Sequence, residues 1–219
     1  MGIEIEREKT SLVLFDYDGV IADSLDIHVR SFLAAFRDNG CTKVNTARDI
    51  IDLYEDNVYR SMAALGLSEE EINRILRSYK GYQAPFLDQI QPFPQIKALF
   101  SDLASAGHRA CVVTSNTAEV VSAALRRWEI SGVDEVLGLE TAKSKIKKIH
   151  MAMHRHPNRK TYYVGDTKGD IYEGRQAGAV TVGAAWGWHG PDRLMESRPD
   201  YLIHAPGELI KLMIGGQFN

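Results

Sequence analysis

The chain has 219 residues, 44% hydrophobic and 25% charged, an ordinary composition for a globular protein. Its net charge is −3 with acids and bases intermixed, so nothing in the composition favours nucleic acid as a partner. The start, MGIEIEREKT, lacks the apolar core of a signal peptide, and no apolar run approaches the roughly 18 residues of a membrane-spanning helix. We therefore expect a cytoplasmic protein that contacts neither membrane nor nucleic acid.

Short apolar runs separated by helical segments predict a doubly wound α/β domain with a parallel sheet. The runs are continuous rather than alternating, as in strands buried on both faces. The predicted strands are Leu12–Phe15, Ala110–Val113, Glu135–Leu139, Thr161–Val164, Val180–Ala184 and Tyr201–Ile203. The predicted helices between them are Pro94–Ser105, Ala118–Trp128 and Asp170–Ala177. Cys111, one of only two cysteines, lies in an apolar run, which indicates a buried thiol rather than a disulfide.

Residues 24–91 have helical patterns but no convincing strand. Val29, Phe32, Leu33 and Phe36 follow the spacing of one helix face, and SEEE at Ser68–Glu71 is a capping-box signal for a further helix. We therefore predict an inserted helical domain at 24–91, and an α/β core made of residues 1–23 and 92–219.

Polar side chains follow three of the predicted strands. They are Asp16 and Asp18 after LVLF, Thr114 and Ser115 after CVV, and Asp166 and Asp170 after YYV. Ligands of open α/β sheets bind at the carboxyl ends of the strands, so we expect these side chains to converge. Carboxylates suit Mg²⁺, and a carboxylate beside a metal can attack phosphorus. Thr114 could donate to a phosphate oxygen, and Lys143 or Lys145 could hold the same oxygens.

Four short segments resemble, in their order and spacing, the four motifs of the haloacid-dehalogenase superfamily of phosphatases. They are DYDGV, VVTSN, a downstream lysine and GDTKGD. The helical insert resembles the small C1-type cap of that superfamily, and the chain as a whole resembles its phosphoglycolate-phosphatase-like branch. The resemblance implies a Rossmann-like core, Mg²⁺, and hydrolysis of a small phosphate ester through an aspartyl-phosphate.

The resemblance also implies a role for each site residue. Asp16 would be the nucleophile, and Asp18 would protonate the leaving oxygen and then activate water. The backbone carbonyl of Asp18 would bind Mg²⁺ with the side chains of Asp16 and Asp166, and Asp170 would support these ligands or replace one. Thr114 and Ser115 would bind phosphate. Lys145 is preferred as the motif lysine because it opens the apolar pattern Ile146, Ile149 and Met153, with Lys143 as the alternative.

Two other functions stay open on the sequence. A sugar phosphomutase of the β-phosphoglucomutase type would share the nucleophile and the cap, with His28 near the site and Arg48 or Arg60 as cap arginines. A receiver-like regulatory domain would only accept phosphate on Asp16. His28 can equally be a surface histidine, and Trp186–Gly190 can form either a substrate wall or core packing. We expect the substrate to contact the cap near Tyr54, Asn57 or Arg60.

Overall fold

The computed structural model describes residues 10–213. Its strands are β1 (Leu12–Phe15), β2 (Ala22–Asp23), β3 (Gln91–Pro92), β4 (Arg109–Val113), β5 (Glu135–Leu137), β6 (Thr161–Gly165), β7 (Val180–Ala184) and β8 (Tyr201–Ile203). The central sheet has the order β5-β4-β1-β6-β7-β8, and every pairing in it is parallel. β2 and β3 pair antiparallel beside it. Residues 1–9 and 214–219 lie outside the described part of the chain. They include most of the charged start and the two ends of the predicted core domain.

The helices alternate with the strands except in one stretch. They are α1 (Leu25–Asp38), α2 (Ala47–Asp52), α3 (Val58–Ala64), α4 (Glu69–Gln83), α5 (Ile96–Ser105), α6 (Ala118–Arg127), α7 (Lys145–Arg155), α8 (Lys168–Gln176), α9 (Gly190–Glu196) and α10 (Pro206–Met213). Two 3₁₀ turns, Leu53–Glu55 and Ala84–Gln89, follow α2 and α4. In the described part of the chain, no helix is long and apolar enough to span a membrane.

Both faces of the sheet are covered, which confirms the predicted α/β fold. Successive side chains of β1 point to opposite faces. Leu12 and Leu14 pack with residues of α7, whereas Val13 and Phe15 pack with residues of α5, α6 and α10. Cys111 is a fully buried free thiol in the first of these clusters.

Helices α1–α4 pack around a hydrophobic cluster of their own, which includes Phe32, Phe36, Ile50, Met62 and Ile75. The Ser68 hydroxyl accepts from the Glu71 amide and the Glu71 carboxylate accepts in return, so the predicted capping box is present. The short β2–β3 pair joins this helical stretch to the sheet. The division of the chain at residues 24 and 91 stays a prediction, although the separate cluster is consistent with it.

Several predicted boundaries differ from the structure by one or two residues, and two of these differences lie beside the site. The fifth strand ends at Leu137 rather than at Leu139, because the Leu139 amide donates to the Asn116 carbonyl in a neighbouring loop (2.8 Å). The helix predicted to begin at Asp170 begins at Lys168, because Thr167 caps it and accepts from the Asp170 amide. Asp170 is therefore fixed in the first turn of α8.

Candidate functional site

Three buried carboxylates meet at the carboxyl edge of the central sheet. Asp16 follows β1, Asp166 follows β6, and Asp170 lies in the first turn of α8. One oxygen from each residue lies within 4.8 Å of the others, and the three residues are at most 7% exposed. The structure thus brings together three of the residues that the sequence singled out as metal ligands.

Glycines allow two loops to approach Asp166. Gly19 has φ +77°, and a Cβ atom there would lie 1.9 Å from Asp166 Oδ2. A Cβ atom at Gly187 would lie 2.5 Å from the same oxygen, to which the Trp188 amide donates (2.8 Å). The other oxygen, Oδ1, is buried and has no hydrogen-bond partner among residues 10–213. Since a buried, unpaired carboxylate oxygen is costly, this atom is the one a metal ion would satisfy.

Lys145 is the cation of the cluster. Its Nζ lies 2.8 Å from Asp16 Oδ2 and 2.7 Å from Asp170 Oδ1. Lys145 is the first residue of α7, which Ser144 caps by accepting from the Lys147 amide. Lys143 lies before the helix and is exposed, although it also lines the cavity described below.

The pKa values of the cluster follow from its burial. Burial raises the pKa of Asp16 to about 7, although Lys145 opposes the shift, and burial also raises the pKa of Asp166 well above its usual range. Burial acts on Asp170 in the same direction, but Lys145 and hydrogen bonds from Thr167 and Tyr163 leave its pKa below the ordinary value. A bound cation would favour the ionised form of all three carboxyl groups.

The Asp18 carboxylate is held apart from this cluster. Its oxygens accept from the Ser24 hydroxyl (2.7 Å) and from the Asn116 side-chain amide (2.6 Å). Burial raises the pKa of Asp18, and these two hydrogen bonds oppose the rise. Sequence reasoning missed Ser24, whose only signal was its place as the last polar residue of DYDGVIADS. The two donors fix the direction of a carboxyl group that still lines the cavity.

The loop after β4 contributes Ser115 and Asn116 to the cavity wall. The Thr114 side chain is buried, and its hydroxyl accepts from the Asn116 amide (3.0 Å). The fully buried Lys148 ammonium donates to the Thr114 carbonyl. Burial together with nearby Lys145 lowers the pKa of Lys148 to about 8. Lys148 was also missed, although its spacing of three residues from Lys145 places both on one face of α7.

A cavity of about 340 Å³ lies between the carboxylates and the helices α1, α3 and α4. The wall includes Phe32, Tyr54, Val58, Tyr59, Leu76, Tyr79 and Trp188. His28 is buried, hydrogen-bonded to the hydroxyls of Tyr79 (3.0 Å) and Tyr54 (2.8 Å), so its interpretation as a surface histidine is wrong. Trp188 packs against His28, with ring centroids 4.3 Å apart.

Other candidate residues lie outside this wall. Trp186 donates from its indole nitrogen to the Val20 carbonyl (3.1 Å) and packs on the core. Asn57 donates to Glu173 of α8 (3.2 Å), and Arg60 is exposed and paired with Asp56. Of the three residues expected near the substrate, only Tyr54 lines the cavity.

Ion pairs fasten the helical stretch to helices α8 and α9 of the core. Arg193 of α9 pairs with Asp52 (2.5 Å) and with Glu55, and Lys168 of α8 pairs with Glu55 (2.5 Å). His189 Nε2 lies 3.2 Å from the Ile51 carbonyl oxygen. These contacts hold the turn after α2 against the edge of the site.

Comparison with known proteins identifies the family. The model of the haloacid dehalogenase-like hydrolases matches residues 13–184. The chain belongs to this family. The predicted resemblance is confirmed at this level, and the chain is therefore a hydrolase by family.

Individual relatives cover almost the whole chain. A phosphoglycolate phosphatase from Synechococcus elongatus is 26% identical over 202 residues, which span 91% of this chain and 95% of that protein. The pyrophosphatase PpaX of Bacillus velezensis is 22% identical over 94% of this chain and 97% of its own. Among solved structures, a haloacid dehalogenase-like hydrolase from Streptococcus pneumoniae superposes with a TM-score of 0.76 at 26% identity, covering 93% of this chain and 98% of that one.

Proposed function

We propose that this hydrolase is a Mg²⁺-dependent phosphatase that cleaves a small phosphate monoester through an aspartyl-phosphate on Asp16. The observation that carries the proposal is the buried cluster of Asp16, Asp166, Asp170 and Lys145 beneath a cavity of about 340 Å³. The matched relatives named phosphoglycolate phosphatase and pyrophosphatase support it, since both names denote enzymes that act on small phosphate compounds.

The donor set fits a magnesium ion. All candidate ligands are oxygens, which Mg²⁺ prefers, and Asp166 Oδ1 lacks any other partner in the described part of the chain. Asp16, Asp166 and the backbone carbonyl of Asp18 would hold the ion, with Asp170 kept in place by Lys145, Tyr163 and Thr167. The ion would offset the repulsion among the carboxylates and neutralise charge on the phosphate.

The chain's own residues account for the two steps. In the first, an Asp16 oxygen forms a bond to phosphorus while the bond from phosphorus to the leaving oxygen breaks, and Asp18 gives that oxygen its proton. In the second, Asp18 takes a proton from a water molecule whose oxygen forms a bond to phosphorus, while the bond from phosphorus to the Asp16 oxygen breaks, which releases phosphate and restores Asp16. Lys145 holds positive charge beside Asp16 throughout, and Ser24 and Asn116 keep Asp18 oriented.

The two alternative functions gain no support. His28, which suggested a phosphomutase, lines the cavity, but both of its ring nitrogens are hydrogen-bonded to tyrosine hydroxyls, and Arg48 pairs with Asp52 on its own helix. A receiver-like regulatory domain is inconsistent with the hydrolase family assignment. A cytoplasmic location stays an expectation, to which the two free cysteines are suited.

Phosphate release from para-nitrophenyl phosphate, with Mg²⁺ and with a chelator, tests the proposal. We expect activity only with the metal, and a loss of at least about 10³-fold in Asp16→Asn. Asp102→Asn, the same change at an exposed residue of α5, is the matched control and keeps full activity. Acid quenching during turnover, followed by peptide mass spectrometry, places the phosphoryl group on Asp16. Equal rates for the two variants contradict the nucleophile assignment.

A further inference from the structure

Three cations without counter-ions belong to the solvent-exposed part of the cavity lining. Arg77 and Lys80 belong to α4, Lys143 belongs to the loop before α7, and all three line the cavity. All three are exposed, unlike the buried carboxylates of the floor. Within residues 10–213, none of the three side chains makes an ion pair or a hydrogen bond.

The sequence of α4 leaves its two cations unpaired. Side chains three and four residues apart are neighbours on a helix. For Arg77 these neighbours are Asn73, Arg74, Lys80 and Gly81, and for Lys80 they are Leu76, Arg77, Gln83 and Ala84. No neighbour is acidic, and the two cations repel each other. Arg74, which does not line the cavity, pairs instead with Glu70 (2.9 Å). Among the cations of α4, the two without an acidic neighbour at these spacings are therefore the two that line the cavity.

The phosphate to be cleaved does not need these cations. At the floor, Lys145 contacts Asp16 directly, and the carboxylates around it fit a metal ion. Apart from the charged residues, the cavity lining is mainly aromatic and aliphatic, with Phe32, Tyr59 and Leu76 among its residues. The cavity therefore combines a site for one phosphate, a mainly apolar wall and a second cationic region.

We propose that the cavity selects phosphate monoesters whose leaving group has an apolar or aromatic body that ends in a second anionic group, held by Arg77, Lys80 and Lys143. This inference rests on the proposed phosphatase function and names its substrate class. The second anion is a carboxylate or a phosphate, since either matches the planar fork of an arginine and the point charge of a lysine. Bound there, it would bridge α4 and the loop before α7.

A matched series of aryl phosphates tests the proposal. The substrates are para-(carboxymethyl)phenyl phosphate, its neutral amide of the same shape, and para-(phosphonomethyl)phenyl phosphate. We expect kcat/KM to favour the anionic members over the amide by about tenfold or more, the effect of one charge-assisted hydrogen bond. The better of the two anionic members identifies the second group as carboxylate or phosphate.

Variants assign the preference to the cations. The double variant Arg77→Gln/Lys80→Gln should bring the ratio of anionic to amide substrate close to one, while kcat/KM for the amide changes little. Arg74→Gln, an arginine of the same helix outside the cavity, should keep the preference. Equal kcat/KM for the acid and the amide in the intact enzyme, or an unchanged preference in the double variant, overturns the inference and leaves the phosphatase proposal standing.

A binding measurement separates the two proposals if no substrate is cleaved. Calorimetry with para-(carboxymethyl)benzylphosphonate and its amide, in the presence of Mg²⁺, measures how much the second anion adds to the binding affinity without turnover. A preference for the acid that disappears in the double variant supports the cationic region even when phosphatase activity is absent. Equal affinity for the acid and the amide overturns it.

Discussion

The ammonium nitrogen of Lys145 lies 2.8 Å from Oδ2 of Asp16, the proposed nucleophile. Burial alone would lower the pKa of Lys145, but Asp16 and Asp170 more than compensate and hold it well above its ordinary value. Lys145 therefore stays charged, and it joins two carboxylates that would otherwise repel each other. The same ammonium group is placed to meet the oxygens of a phosphate attached to Asp16.

Lys145→Ala should cost more activity than Lys143→Ala. The first change removes a mostly buried charge between two carboxylates, whereas the second removes an exposed one. On a plain aryl phosphate we expect a fall in kcat/KM of about 10²-fold or more for Lys145→Ala, and a small change for Lys143→Ala. Steady-state kinetics of the two variants decide the order, and the reverse order would transfer the role to Lys143.

Asp18→Asn should slow catalysis while leaving metal binding in place. The amide cannot donate and accept the proton, so we expect kcat to fall by about 10²–10⁴-fold. The backbone carbonyl, which would be the metal ligand, is unchanged by the substitution. Mg²⁺ titrations of variant and wild type check this, with the exposed Asp23→Asn as a control. A variant that loses Mg²⁺ affinity but turns over normally at saturating metal contradicts the assigned role.

Arg193→Gln should loosen the turn after α2 from the core. Arg193 is mostly buried and pairs with Asp52 and Glu55, so its loss removes two contacts between the helical stretch and α9. We expect the free energy of unfolding to fall by about 1 kcal/mol and amide exchange in residues 47–64 to become faster. Arg48→Gln is the matched control, since Arg48 pairs with the same Asp52 but only within α2. Identical exchange in the two variants would mean that the pairs with Arg193 do not fasten the turn.

His28 should make stability depend on pH. Burial lowers its pKa from the ordinary 6.5 to about 3. Below pH 6.5 the unfolded chain binds a proton that the folded chain does not, so the stability contribution is present above that pH and is lost as pH falls towards 3. This group alone contributes up to about 1.4 kcal/mol per pH unit in that window.

Urea unfolding of wild type and His28→Gln between pH 7 and pH 4 measures this contribution. Glutamine keeps polar atoms for Tyr54 and Tyr79 but does not titrate, so the variant's free energy of unfolding should fall less steeply with decreasing pH. Parallel curves would show that His28 is as accessible to protons in the folded chain as in the unfolded one.

The sequence by itself determined the fold class and the carboxylates of the candidate site. Continuous apolar runs indicate strands buried on both faces, and each run is a local feature of the sequence. Because parallel strands end at one edge of their sheet, residues that directly follow them had to meet there. Asp16, Asp18 and Asp166 were found for that reason.

Only the tertiary structure decided which partners these residues have. Ser24 and Asn116 are 92 positions apart in the sequence, yet both donate to Asp18, and no local pattern records that pairing. For His28 the sequence left a position near the site and a position on the surface open, and it is buried at the cavity because α4 and the turn after α2 pack Tyr79 and Tyr54 against it. The sequence predicted a carboxylate at the end of a strand. The orientation of that carboxylate, its pKa and its neighbours are determined by burial and long-range packing, since these depend on residues far apart in the chain.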